Sequence, residues 1–350
     1  MIRLGIIGCG RVTALRHLPV LQSRVPELRV VALSDIDGAR LDSVAGAFGI
    51  AGRHTDYRKL LAEEQVDAVA VCVPPSFHTE VALAALDAGK HVFIEKPLAL
   101  ALDECDLLRE RAAQSESLKI MVGFNMRWHR LVREARARLR RGELGRVKLA
   151  RTVFVCGMRN QPGYAAWRRE RATGGGAIFE LGVHHFDLLR FLLGGEASEV
   201  YATSPAGDET AIVTTLMSGG EQTVTALSEG TGENHEIEIY GERGWLRVSC
   251  YRADGIEQLG AGQYPGALGE RVRGMTRTLV GLPRMIRQAR LGGDYVASYG
   301  EQWRHFADAV GNAGTPVEAT LEDGRRALEI ALAACESSTT KRAVSLLEAH

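Results

Sequence analysis

The stretch GGGAIFELGVHH, Gly174 to His185, places one carboxylate and two imidazoles in an otherwise apolar run. Glu180 and His184 are four residues apart, so a helix puts them on one face. Asp187 continues that face and His185 lies round from it. An imidazole titrates near neutrality and suits proton transfer. A carboxylate one turn away can orient the site or bond a substrate hydroxyl. The plain alternative is a satisfied helix pair without chemistry, so the rest of the chain has to decide.

A second group of residues points to a dinucleotide. IRLGIIGCGRVTALRHLPVL begins with an apolar strand, turns at Gly8-Cys9-Gly10, and continues as a helix with Val12, Leu15, Leu18 and Leu21 on one face. Strand, glycine turn and helix form the context of a G-x-G-x-x-G fingerprint. The glycines let the backbone approach a pyrophosphate, and the helix start, at Arg11 and Val12, favours its charge. The third fingerprint position is Thr13, which weakens the motif taken alone. The next strand, LRVVALSDID, strengthens it by ending at Asp35. An acid there suits the ribose hydroxyls of NAD and repels the 2′-phosphate of NADP. Its bland reading is a turn or cap, a role that Asp37 also fits.

Further strands follow in a βα rhythm. VDAVAVCVPP is a continuous apolar strand, as parallel sheets prefer, and HTEVALAALDAG is the helix after it. KHVFIEKPLA and LKIMVGFNMR are two more strands. Ligands in open α/β sheets bind at the carboxyl ends of strands, where Pro74, Glu95 and Lys96 fall. His78, just beyond Pro74, either touches cofactor or caps a helix.

Length and composition set the frame. A chain of 350 residues exceeds one hydrophobic core, which predicts two domains, residues 1–122 and 123–350. Lys+Arg and Asp+Glu are both 43, and this balance argues against a nucleic-acid partner. No apolar run approaches the roughly 20 residues of a membrane helix, so no membrane partner is expected. The six cysteines are scattered, without a C-x-x-C. They read as reduced, buried thiols of a cytoplasmic protein, and no metal site is expected.

With GIIGCG, VCVPPSFH, HVFIEKPLA, VGFNMR, GGGAIFELGVHHFDLLRFLLG and SYGEQWRHFADAV in this order, the sequence resembles the Gfo/Idh/MocA oxidoreductases over nearly its whole length. The resemblance implies an α/β protein: an N-terminal Rossmann domain, then an α/β domain with a large, mostly antiparallel open sheet. It implies NAD as cofactor, hydride transfer at a secondary hydroxyl of a sugar or cyclitol, and a homodimer or homotetramer. By the same resemblance Lys96 holds the substrate oxygen and His184 takes the hydroxyl proton. The acid position is usually aspartate in the family. Here it is Glu180, one methylene longer, which ranks it below His184 as a catalyst.

Other residues border this expected site. Asn125 and Arg127 leave the last Rossmann strand, with Arg127 read as a structural or pocket-lining ion-pair residue. Trp167 and Arg168 precede the glycines, and a tryptophan can stack on a sugar or simply fill a core. Tyr299 matches a family position near substrate, against the reading of a core hydroxyl. Two arginine-rich stretches read differently. Arg127 to Arg146 is a helix with a buried stripe of Leu131, Ala135 and Leu139. Residues 271–293 form a basic amphipathic helix suited to an active-site flap or a subunit contact. Two rival functions remain: an NAD-retaining glycosidase that works by transient oxidation and elimination, and a dinucleotide-sensing regulator without catalysis.

Overall fold

A computed structural model describes residues 1–346 apart from 64, 116, 206, 207, 265 and 291. The chain divides into two compact units, and the division is discontinuous. The first comprises Met1–Asn125, Ala172–Gly174 and Tyr299–Leu328; the second comprises Met126–Arg171, Gly175–Ser298 and Glu329–His350. The sequence pattern suggests one cut near residue 122. The chain instead returns to the first unit for a late pair of helical segments.

In the first unit, six strands among the described residues form one parallel sheet. They are β1 (Ile2–Ile7), β2 (Leu28–Ser34), β3 (Gly52–His54), β4 (Ala68–Val71), β5 (His91–Ile94) and β6 (Ile120–Val122). Their order, β3-β2-β1-β4-β5-β6, is that of the doubly wound dinucleotide-binding fold, with its crevice at the ends of β1 and β4. β4 is buried at every residue, which is why its sequence shows no polar alternation. The helix Gly38–Phe48 starts at Asp37, whose side chain accepts from the Arg40 amide, and stops at Gly49 in the left-handed region.

One helix departs from the sequence reading. After Gly10 the chain makes a π-helical turn, Thr13–His17, before the α-helix Leu18–Arg24. The wider turn changes which side chains face inward. Leu15, expected in the core, is 52% exposed, whereas His17 is 0% exposed. A 3.6-residue period cannot foresee that shift.

In the second unit, eight strands among the described residues form a mostly antiparallel sheet. They are β7 (Val147–Val155), β8 (Ala197–Thr203), β9 (Thr210–Met217), β10 (Gln222–Ser228), β11 (Asn234–Gly241), β12 (Gly244–Ser249), β13 (Ile256–Gly260) and β14 (Val344–Ser345). Their order is β13-β12-β11-β7-β10-β9-β8-β14, and only the β7–β10 pairing is parallel. Along β9 every second residue is buried, the period expected of a sheet with one covered face. The helices Arg130–Arg140 and Val183–Leu193 cover that face. Leu131, Val132 and Ala135 meet Leu188, Leu192, Ile237 and Leu246 there. The expected stripe is therefore buried, with Leu139 packed at its margin.

The basic amphipathic stretch forms a helix, Leu268–Arg290. Leu268, Val272, Met275, Leu279, Leu282 and Ile286 recur along it and are exposed. Residue 291 of that stretch lies outside the described residues. Of the six cysteines, all unpaired, Cys335 is partly exposed and the other five are buried, as expected of structural thiols. Among the described residues no helix is long and apolar enough to cross a membrane.

Candidate active site

The site residues of the first unit gather at the carboxyl ends of β1, β2, β4 and β5. Gly8 follows β1 with a φ of 104°, and a Cβ there would come within 2.3 Å of the Cys72 carbonyl oxygen. Gly8 therefore lets β1 and β4 pass closely. Gly10 is different, because a Cβ at this position meets no protein atom within 4 Å. That open backbone, at the start of the turn containing Arg11, Val12 and Thr13, fits the pyrophosphate of a dinucleotide. Thr13, the deviation from the fingerprint, is buried and donates its hydroxyl to the Gly8 carbonyl at 2.6 Å. The hydroxyl thus staples the turn that a glycine would only permit.

Asp35 stands one residue past β2. One carboxylate oxygen accepts from the Cys9 amide at 2.8 Å, tying it to the glycine turn. The other accepts from the Asp37 amide at 2.9 Å. Arg40 contacts both oxygens at 3.1 Å. A carboxylate has about four lone-pair sites, and these four donors fill them, so a ribose hydroxyl binds here by displacing one of them, the exposed Arg40 guanidinium being the most easily moved. The residues fit the adenosine half of NAD, and the cost of binding a 2′-phosphate beside Asp35 stands against NADP.

At the ends of β4 and β5 the structure separates supporting residues from open ones. Pro74 leads into a short turn, Pro75–Phe77, and the helix His78–Asp87. His78 is 1% exposed. Its Nδ1 faces the Pro97 carbonyl at 2.8 Å and its Nε2 faces the Val73 carbonyl at 3.0 Å. Burial lowers its pKa. His78 therefore links the end of β4 to the Lys96-Pro97 turn. Both partners are backbone carbonyls, and no sequence pattern announces those.

Glu95 is 8% exposed. Its Oε1 lies 2.9 Å from His17 Nε2, and its Oε2 accepts from the Lys96 amide at 3.2 Å. Burial alone would raise its pKa. The His17 hydrogen bond and the neighbouring Lys96 charge outweigh burial and hold the carboxyl below its ordinary value. Asn125 is 1% exposed at the end of the first unit's main segment. Tyr299 belongs to the same unit and is 7% exposed, with its ring edge-on to His17 at 5.6 Å.

The second unit holds Glu180 and His184. Ile178–Gly182 is again a π-helical turn, followed by the α-helix Val183–Leu193. π turns concentrate at functional positions, and among the described residues they follow the glycine turn and carry Glu180. Glu180 is 5% exposed and its Oε2 lies 3.3 Å from Arg168 Nη1. Arg168 in turn spans the Trp167 ring, its guanidinium carbon 5.1 Å from the centroid. This loop rests on Gly175, where a Cβ would come within 2.3 Å of the Arg168 carbonyl. The glycine run therefore seats the Trp167-Arg168 loop against the Glu180 turn.

His184 is 9% exposed, with Phe154 edge-on at 6.4 Å. His185 does point elsewhere: its Nε2 is 3.0 Å from His235 Nε2, beneath Phe154, which stacks on His235 at 4.3 Å. Burial pushes His185 down to about 3 and His235 well below its ordinary value, so the pair is neutral. Asp187 does not serve the Glu180 face. It accepts from Arg127 Nε at 2.8 Å and Nη2 at 2.5 Å. Arg127 is 5% exposed and has the ion-pair role expected of it rather than a place on an open substrate surface.

Comparison with known proteins agrees with this arrangement. Residues 2–124 match the oxidoreductase family with an NAD-binding Rossmann fold, and residues 136–346 match that family's C-terminal alpha/beta domain. The chain belongs to the Gfo/Idh/MocA oxidoreductases. An uncharacterized oxidoreductase of Bacillus subtilis is 30% identical, with 98% of this chain and 96% of that one covered. A myo-inositol 2-dehydrogenase of Thermotoga maritima is 28% identical, with 99% of each chain covered. The structure of scyllo-inositol dehydrogenase from Lactobacillus casei, with bound NAD(H) and scyllo-inositol, superposes with a TM-score of 0.78. It shares 22% identity and covers 99% of each chain, a likeness of fold.

Proposed function

We propose that this Gfo/Idh/MocA oxidoreductase is an NAD-dependent dehydrogenase that oxidises a secondary hydroxyl of a cyclitol or closely related sugar derivative. The reading is carried by one observation: full-length likeness to inositol dehydrogenases in a chain that keeps an open glycine turn, an acidic β2 end, Lys96 and His184.

Oxidation removes a hydride from carbon and a proton from oxygen. Bound NAD supplies the acceptor of the hydride. His184 takes the hydroxyl proton, a task suited to a largely buried imidazole. Lys96 holds the substrate oxygen and offsets its developing negative charge. Glu180 carries an ion pair with Arg168 and serves as an orienting group that bonds a neighbouring hydroxyl. A polyol presenting several hydroxyls suits charged donors and acceptors of these kinds. The test is NADH formation across inositol isomers and sugars.

Cofactor choice gives a separate expectation. Replacing Asp35 with Ser removes the carboxylate that accepts from the Cys9 amide and pairs with Arg40. NADH affinity should fall about tenfold, the size of one charge-assisted hydrogen bond, while NADPH affinity rises. Fluorescence titration of both nucleotides measures this. An unchanged NADH-to-NADPH ratio would remove Asp35 from the cofactor site.

A further inference from the structure

The chain from Trp303 through His17 to Glu95 has a direction. Trp303 and His17 are both 0% exposed. The Trp303 indole nitrogen donates to His17 Nδ1 at 3.0 Å. An indole N–H is only a donor, so Nδ1 carries no proton. The imidazole proton therefore sits on Nε2 and is donated to Glu95 Oε1 at 2.9 Å. The second Glu95 oxygen accepts from the Lys96 amide.

The surroundings fix this chain tightly. Phe93 stacks on Trp303 at 4.2 Å, and the rings of Phe93 and Tyr299 meet the His17 ring edge-on at 5.7 and 5.6 Å. Gly123 lies on the far side of Glu95, where a Cβ would stand 3.0 Å from Oε1. The side-chain donor to this carboxylate is His17. Trp303 comes from the late segment, Tyr299–Leu328, that returns to the first unit. The return therefore has a specific effect at the end of β5.

We propose that His17 and Trp303 are positioning residues for Lys96: Trp303 sets the His17 tautomer, His17 sets the Glu95 carboxylate, and Glu95 sets the backbone and charge environment of Lys96. The proposal rests on the reading of Lys96 as the holder of the substrate oxygen. A purely structural histidine would only need to fill space. This one presents an acceptor to one neighbour and a donor to the other, and only one neutral tautomer does both. Glutamine can imitate the pair of functions, with its amide NH₂ toward Glu95 and its carbonyl oxygen toward Trp303; phenylalanine can imitate neither.

The experiment combines NMR of ¹⁵N-histidine-labelled protein with steady-state kinetics on the full chain. The imidazole signal that vanishes in His17→Gln should show an unprotonated Nδ1 and a protonated Nε2, and Trp303→Phe should shift it. His17→Phe should lower kcat about tenfold or more through misplacement of Lys96, with the NADH Kd within about threefold of wild type. His17→Gln should recover most of that loss. A proton on Nδ1, or a His17→Phe kcat within about twofold of wild type, overturns the proposal. If His17→Phe does not fold, Trp303→Phe decides: it keeps an aromatic ring and removes the N–H together with the five-membered ring, and an unaltered His17 signal with unaltered kcat overturns the proposal. If the wild-type chain oxidises no polyol, the functional reading fails on its own, and the tautomer measurement still accepts or rejects the relay.

Discussion

Replacing His184 with Ala should lower kcat by about 10²–10⁴-fold, the usual contribution of a positioned general base. The fold should survive. His184 stands beside Phe154, whose ring is edge-on at 6.4 Å, and alanine keeps the helical backbone of Val183–Leu193. The neighbouring His185–His235 pair stays intact, because it uses the next side chain along the helix. The NAD affinity should change little, since His184 and the glycine turn belong to different compact units. Turnover within about twofold of wild type would remove His184 from the chemistry. A matching loss of thermal stability would mean that the residue is structural.

Replacing Arg127 with Met should destabilise the protein by about 3–5 kcal/mol, because it leaves a carboxylate buried without its partner. The Asp187 side chain is 1% exposed and makes a two-pronged contact with the guanidinium. Its next cation, Arg190 Nη1, is 3.9 Å away and is itself paired with Glu196 at 2.6 Å. The Arg127 guanidinium also lies 5.1 Å from the Phe191 ring centroid, so its loss removes a packing partner as well. Denaturant unfolding measures the effect. The double variant Arg127→Met, Asp187→Leu should recover much of the stability, since removing both charges leaves nothing unpaired. A single-variant loss below about 1 kcal/mol would show that water reaches Asp187.

Those two residues also show what a sequence reveals and what it hides. The spacing of Glu180 and His184 is local, and either helical period leaves residues i and i+4 adjacent. Their shared face was therefore legible although the turn is a π-helix. The βα alternation of the parallel sheet was legible for the same kind of reason, though its short β3 was not. β1, β2, β4 and β5 are short, largely apolar runs, and the helix after β2 announces itself by a cap at Asp37 and a stop at Gly49. Leu15 was misplaced, and His17 went unread, because one wide turn after Gly10 rotates the face that follows. Hydrophobic period alone cannot register a single inserted residue.

The longer contacts had no local signal. His17 meets Glu95 across 78 residues and Trp303 across 286. Arg127 meets Asp187 across 60, so its ion-pair role was legible and its partner was not. His78 looked like a site residue because it follows a strand end, yet both ring nitrogens are spent on backbone carbonyls. Thr13 looked like a defect in the fingerprint. Its hydroxyl closes the turn on Gly8, a substitution of one stabilising device for another.

The central claim is that this chain oxidises a cyclitol or related polyol with NAD. Its most direct test mixes purified protein and NAD with a panel of inositol isomers, sugars and sugar glycosides, and follows both NADH and sugar products. The account predicts NADH accumulating with at least one cyclitol or sugar, with one ketone formed per NADH. Free sugar released from a glycoside without NADH, or no turnover of any compound by protein that binds NAD, would contradict it.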